Sequence, residues 1–301
     1  MAKRLVSVLG DSISTFEGCN PEGFQVFYEG ERRLTTGVRA PGDTWWAQVI
    51  EALDGELLAN GSYSGSMVEG AGFPAGDSAE RIEALARDGR QPDVVLVFMG
   101  INDYGWGGAD AQAAGRGNAV PECLDLAAIE PREPGLADAG AAARFGAAYE
   151  HMLGRIRAAY PQAEVWCCTL CPGRMVGSER STFAYNLRGV HFDRYNDAIR
   201  AAAAHTGCHV ADVAALGYDY EGLEGTHPTA RGMRQFAALV LGAMANAGEQ
   251  QVDPAAAEAA LVATDAPRSR RTCEAPCVGC PDAGATNSHW LCVCNRAPLP
   301  S

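Results

Sequence analysis

Lysine is almost missing from this sequence of 301 residues: Lys3 is the single one, and the other basic side chains are arginines, a bias of coding rather than of function. Basic charge as a whole is scarce. Lys and Arg number 24 against 37 Asp and Glu, a formal net charge of −13 at pH 7. Such a field repels polyanions, which argues against nucleic acid or an anionic membrane as partner and does little to attract an anionic substrate. Long apolar runs are missing too. No stretch reaches the ~18 consecutive apolar residues of a membrane-crossing helix. The apolar N-terminal segment ending at Leu9 is too short for the core of a secretory signal, and no small-residue cleavage site follows it. The expected compartment is therefore the cytoplasm, where the 11 cysteines are expected as reduced thiols or metal ligands rather than disulfides. Internal repeats are absent. Hydrophobic residues make up 47% and charged residues 20%, a globular rather than a disordered composition.

What is present is an alternation of short aliphatic runs with longer helical patterns, the signature of a parallel α/β sheet. Strands are expected at Leu5–Leu9, Glu56–Ala59, Val94–Met99, Glu164–Leu170 and Val210–Val213. The run from Val94 to Met99 is apolar without alternation, as in a strand covered on both faces. Helical periodicity falls at Thr44–Ala52, Ser78–Arg87, Ala139–Ala159, Phe192–His205 and Thr229–Ala245. The Gly/Ala/Pro-rich stretch from Gly105 to Pro134 reads equally as a rim loop or as a surface insertion. Residues 1–247 are expected to form the main domain, 248–271 a weakly structured linker with room for one short helix, and 272–301 a cysteine-rich tail.

Four separated segments carry chemistry. Gly10-Asp11-Ser12-Ile13-Ser14 follows the first strand and puts a serine where α/β proteins bind ligands. Asn60-Gly61-Ser62-Tyr63-Ser64-Gly65-Ser66 follows the second, and Gly100-Ile101-Asn102-Asp103 the third. Small residues let backbone amides approach a developing oxyanion, and a fixed asparagine amide adds a donor. Glu224-Gly225-Thr226-His227-Pro228 follows the last strand; His227 is placed to accept the serine proton, with a carboxylate three residues earlier to hold its tautomer. Any one of these segments alone would read as an ordinary turn. Their recurrence at successive strand ends of one sheet makes Ser12, Asn102 and His227 candidates for a single catalytic site.

These blocks, and the longer run from Gly10 to Gly18, resemble the ordered blocks of the SGNH (GDSL-type) hydrolases over roughly Arg4 to Asn246. The resemblance implies a three-layer α/β/α flavodoxin-like sandwich with a five-stranded parallel sheet. It implies Ser12 as nucleophile and His227 as general base. The oxyanion donors would be the Ser12 amide, the Ser62 amide and the Asn102 side chain. Two positions depart from the family pattern. Ser62 stands where glycine is usual, which requires a backbone accessible without glycine-like dihedrals. Glu224 stands where aspartate is usual, with Asp219 as a weaker competitor for the triad's third place. Esters of short acyl groups or acetylated carbohydrates are the substrates the resemblance favours. Acyl transfer through the same intermediate, or ligand binding without catalysis, are the alternatives. No cofactor is expected for catalysis.

In the tail, Cys277-x2-Cys280, eleven residues, then Cys292-x-Cys294 suggest a four-thiolate structural zinc knuckle, with Cys273 or His289 as substitute ligands. The six cysteines Cys19, Cys123, Cys167, Cys168, Cys171 and Cys208 lack ligand spacing and are expected to pack. Of the other histidines, His151, His191, His205 and His209 are expected to be structural. Phe16, Trp106, Phe183 and Tyr185 are candidates for pocket or packing roles.

Overall fold

The computed structural model describes residues 3–105, 140–177, 192–223 and 225–269. Glu224, Trp106, Phe183, Tyr185, His191, Cys123, most of the Gly105–Pro134 stretch and the cysteine-rich tail with Cys277, Cys280, Cys292 and Cys294 lie outside the described residues.

β1 (Arg4–Gly10), β2 (Gly55–Asn60), β3 (Val94–Phe98), β4 (Glu164–Cys168) and β6 (His209–Ala211) form one parallel sheet in the order β2-β1-β3-β4-β6. All five expected strands are present. Every residue of β3 is fully buried, because helices cover both faces. On one face α2 (Trp45–Ala52) packs against α8 (Ala230–Asn246); on the other, α5 (Ala141–Ala159) packs against α6 (Phe192–Thr206), with α3 (Ala79–Glu83) beside it. The three-layer α/β/α arrangement is the one expected.

Side-chain packing ties the layers. Phe98 on β3 meets Phe236 on α8 with centroids 4.4 Å apart, and Trp45 on α2 closes edge-on against both rings. Under the opposite face Phe145 and Tyr149 are fully buried, as are Cys167 and Cys168 on β4 and Cys171 just beyond it. Burying one such large side chain contributes roughly 1.5–3 kcal/mol. Thr44 caps α2 by accepting from the Ala47 amide at 3.3 Å, and Thr229, just after Pro228, caps α8 by accepting from Gly232 at 3.1 Å.

Short elements add to the expected set: α1 (Gly30–Thr36), α4 (Ile101–Gly105), α7 (Val213–Leu216), and a two-stranded parallel ribbon of β5 (Gly173–Met175) with β7 (Tyr220–Gly222). The segment expected as a linker with room for one short helix carries one. α9 (Pro254–Ala263) packs on α8, with Val252 and Ala257 in the common core. Beyond it, Pro267 O accepts from the Asp219 amide at 2.9 Å, and the Ser269 amide donates to Gly217 O at 2.9 Å. Through Ser269 the chain is thus bonded to residues of the 1–247 segment. Among the described residues, no helix is long and apolar enough to cross a membrane.

Candidate active site

The strand order reverses at β1, whose neighbours β2 and β3 are reached by opposite crossovers. The crevice beyond the C-terminal ends of these strands is where such sheets bind ligands. Ser12 opens a 3-10 turn (Ser12–Ser14) there, directly beyond β1. Asp11 caps the turn, its Oδ1 accepting from the Ile13 amide at 3.0 Å. Gly10 allows Ser14 to fold back against the strand, since a Cβ at Gly10 would stand 2.3 Å from Ser14 Oγ. The turn is then pinned from three sides. Trp45 Nε1 donates to Ser14 Oγ at 3.2 Å, Trp46 Nε1 to Ser14 O at 3.0 Å, and Asn60 Nδ2 to the same carbonyl at 2.8 Å.

Ser12 Oγ lies 2.9 Å from His227 Nε2, a contact between residues 215 positions apart. With the ring proton on Nδ1, the hydroxyl donates to the imidazole. The histidine loop is fixed by its neighbours: Tyr28 OH donates to Pro228 O at 2.9 Å, Tyr220 OH to Thr226 O at 2.7 Å, and the Leu223 amide to His227 O at 2.8 Å. Phe27 lies flat on the imidazole, with ring centroids 3.5 Å apart and planes 4° from parallel. Its amide donates to Thr15 Oγ1, which itself donates to Ser12 O, each at 2.8 Å. The ring that stacks on His227 is thus hung from the turn that carries Ser12. The Arg32 guanidinium lies 4.7 Å from the Phe27 centroid.

Asn102, buried on the first turn of α4, donates one amide hydrogen to Ser66 O at 2.7 Å and keeps a second. Gly100 precedes it at φ +124°, and a Cβ there would meet Phe145 at 2.9 Å. Asp103 ties the same helix to the 66–69 loop, accepting from the amides of Val68 and Glu69 at 2.9 and 2.8 Å. Burial pushes the Asp103 carboxyl up to about 7, against these amide donors.

Ser62 is buried, and it is not among the non-glycine residues at positive φ, which are Asp54, Asp88 and Asp265 among the described residues. Serine therefore fits the backbone here. Its amide, however, donates to Asn60 Oδ1 at 3.0 Å. An Asx turn engages the donor that the sequence assigned to an oxyanion, which leaves the Ser12 amide and the second Asn102 hydrogen as the open donors of the set. Asp219 is committed elsewhere: Oδ2 accepts from Arg174 at 2.9 Å and Oδ1 from Ser269 Oγ at 2.6 Å.

Sequence reasoning missed Arg81. This α3 arginine has no exposure and donates to Gly10 O at 2.7 Å, Gly61 O at 2.6 Å and Pro74 O at 2.8 Å. One guanidinium thereby braces the residues just before Asp11 and Ser62. Burial lowers Arg81 to about 9, and the charge of Asp11 opposes that shift. Phe27, Trp45 and Trp46 were also missed; the paired tryptophans after a threonine cap were the one available signal. His151 pairs with Asp77 at 2.7 Å, His205 with Glu150 at 3.1 Å, and His209 stacks on Trp166, all structural roles. Phe16 is a core residue at 2% exposure.

A serine at the switch point of a parallel sheet, bonded to a histidine from a distant loop, is an arrangement that serine hydrolases use. The sequence profile described as the GDSL-like lipase/acylhydrolase family matches residues 8–235, and the chain belongs to that family. Among solved structures, it is similar to a "putative GDSL-like lipase" from Bacteroides uniformis at 24% identity and a TM-score of 0.52, covering 81% of this chain and 96% of that one. A second, from Bacteroides ovatus with the same description, shares 21% identity at a TM-score of 0.50, covering 82% of this chain and 100% of that one. These two likenesses are of fold. No curated protein matches the sequence.

Proposed function

We propose that the protein hydrolyses carboxylic esters through an acyl-enzyme on Ser12, with His227 as general base. The 2.9 Å contact between Ser12 Oγ and His227 Nε2 carries this reading. His227 takes the hydroxyl proton as Oγ attacks the ester carbonyl, and the carbonyl oxygen becomes an oxyanion. The Ser12 amide is at the first position of its 3-10 turn, where an N–H lacks an intrahelical acceptor, and it faces that oxyanion together with the free hydrogen of Asn102. Collapse of the intermediate expels the alcohol, which takes the proton back from His227. Water then repeats the sequence on the acyl-enzyme. Glu224, by its spacing, is the residue proposed to hold Nδ1–H.

The substrate proposed is a small neutral ester, of a short acyl group or an acetylated carbohydrate; the family resemblance supports this, and the net charge of −13 disfavours anionic alternatives. A panel of p-nitrophenyl esters of increasing acyl length, with Ser12→Ala as control, tests the reading. Turnover should be greatest for short acyl chains and fall by at least ~10³-fold in the variant. Equal rates for the two proteins, or none for either, would overturn it.

A further inference from the structure

Asp11 does more than its cap requires. An asparagine, serine or threonine caps a turn as well as an aspartate, yet here a carboxylate is fully buried directly before the nucleophile. Only one of its oxygens is bonded. Oδ1 takes the Ile13 amide, while Oδ2 is buried with no hydrogen-bond partner among the described residues. Buried polar atoms without partners are rare and costly, charged ones most of all. The cost is retained at a place where a positive charge must appear, on His227.

Resting on the esterase reading, we propose that Asp11 is a positioning residue acting through His227: its carboxylate is the counter-charge for the imidazolium formed when His227 accepts the Ser12 proton. The charges around Asp11 fit the role. It interacts electrostatically with two groups, His227 and Arg81, and Arg81 in turn with the Tyr63 phenol. Ser12 follows Asp11 directly and its Oγ lies 2.9 Å from His227 Nε2, while Phe27 stacks on the imidazole with the Arg32 guanidinium 4.7 Å from the Phe27 centroid. Arg81 spends its donors on three carbonyls and gives none to Oδ2, so the Asp11 charge is balanced without being quenched by a direct bond. A pre-set negative charge needs no reorganisation when the imidazolium forms.

Burial raises Asp11 from 3.8 to about 6, against the pull of His227 and Arg81. Between these values the folded protein holds a proton that the unfolded chain has lost. Asp11 therefore costs no stability below about pH 4, costs progressively more as pH rises, and costs most above about 6. Asp11→Asn keeps the shape and the cap and removes the charge. At pH 8 it should melt higher than wild type while kcat falls roughly ten- to hundredfold with KM little changed. At pH 5, where wild-type Asp11 is itself mostly protonated, both differences should shrink.

A variant that loses stability and activity together at every pH would reduce Asp11 to a cap and overturn the proposal, as would one with unchanged kcat at pH 8. The rate of Ser12 labelling by a fluorophosphonate, followed beside ester turnover, separates the two levels of inference. A wild-type protein that reacts with neither probe fails as an esterase, and the role of Asp11 fails with it. A reactive wild type matched by Asp11→Asn at all pH values overturns the role of Asp11 alone.

Discussion

At the scale of single residues, the proposed mechanism assigns donors and supports work that differs between ground and transition states. Asn102 has one hydrogen bonded to Ser66 O and a second that the proposed mechanism assigns to the oxyanion. Asn102→Ala should lower kcat by ~10²–10³ with KM nearly constant, against a loss of about 1 kcal/mol in folding stability for the Ser66 bond. Comparing steady-state kinetics with urea unfolding checks the split; parallel losses would mark a turn residue. Ser12, Asn102 and His227 were legible because each has a fixed offset from a strand end, and a strand end is visible as the close of an apolar run. Phe27 was not. Its contact with His227 spans 200 positions and depends on a threonine hydroxyl that orders the intervening chain. Nor did the fit of Ser62 settle its role, because the competing acceptor, Asn60 Oδ1, belongs to the same short block.

At the scale of elements, two loops from different strands are held in register by a side chain from a helix five residues long. Arg81 donates to the carbonyls of Gly10 and Gly61 at once. Arg81→Met should leave those carbonyls and the Asp11 charge uncompensated, costing ~3–5 kcal/mol. Denaturant midpoints would record the loss. Activity measured well below the melting temperature should also fall, because the Ser12 and Ser62 blocks are no longer braced against each other. Arg81→Lys should recover less than half of the stability, since a compact ammonium does not span three diverging acceptors. In the sequence this arginine sits in an unremarkable helical pattern, and nothing local marks it as buried. The long elements were readable from periodicity, but β5, β7 and α7 have only three or four residues each and no period to read. α9 was concealed differently: six of its ten residues are alanines, so its buried and exposed faces differ little in hydropathy.

At the scale of the whole molecule, the bonds made by residues 265–269 bear on where the folded unit ends. Residues 265–269 bond to Arg231, Asp219, Gly217 and Arg174. A chain ending after residue 270 should melt within a few degrees of the full-length protein, whereas one ending at Ala247 strips the cover from α8. The shorter chain should melt well below it, because it loses the buried Val252 and Ala257 and the strap over Asp219. Differential scanning calorimetry of the two truncations decides between this boundary and an earlier one.

The sheet also carries a record of its own opening. Cys167, Cys168 and Cys171 have no exposed surface; burial lifts Cys168 to about 12 and Cys171 well above the usual thiol range, and the hydrogen bond with Cys208, together with burial, lifts Cys167 well above it too. At neutral pH they present neither access nor a thiolate to an alkylating reagent. Iodoacetamide should therefore mark these three positions only in molecules whose central layer has come apart. Peptide-resolved mass spectrometry would then read their labelling as a clock of global opening, separate from the faster labelling of the half-exposed Cys208.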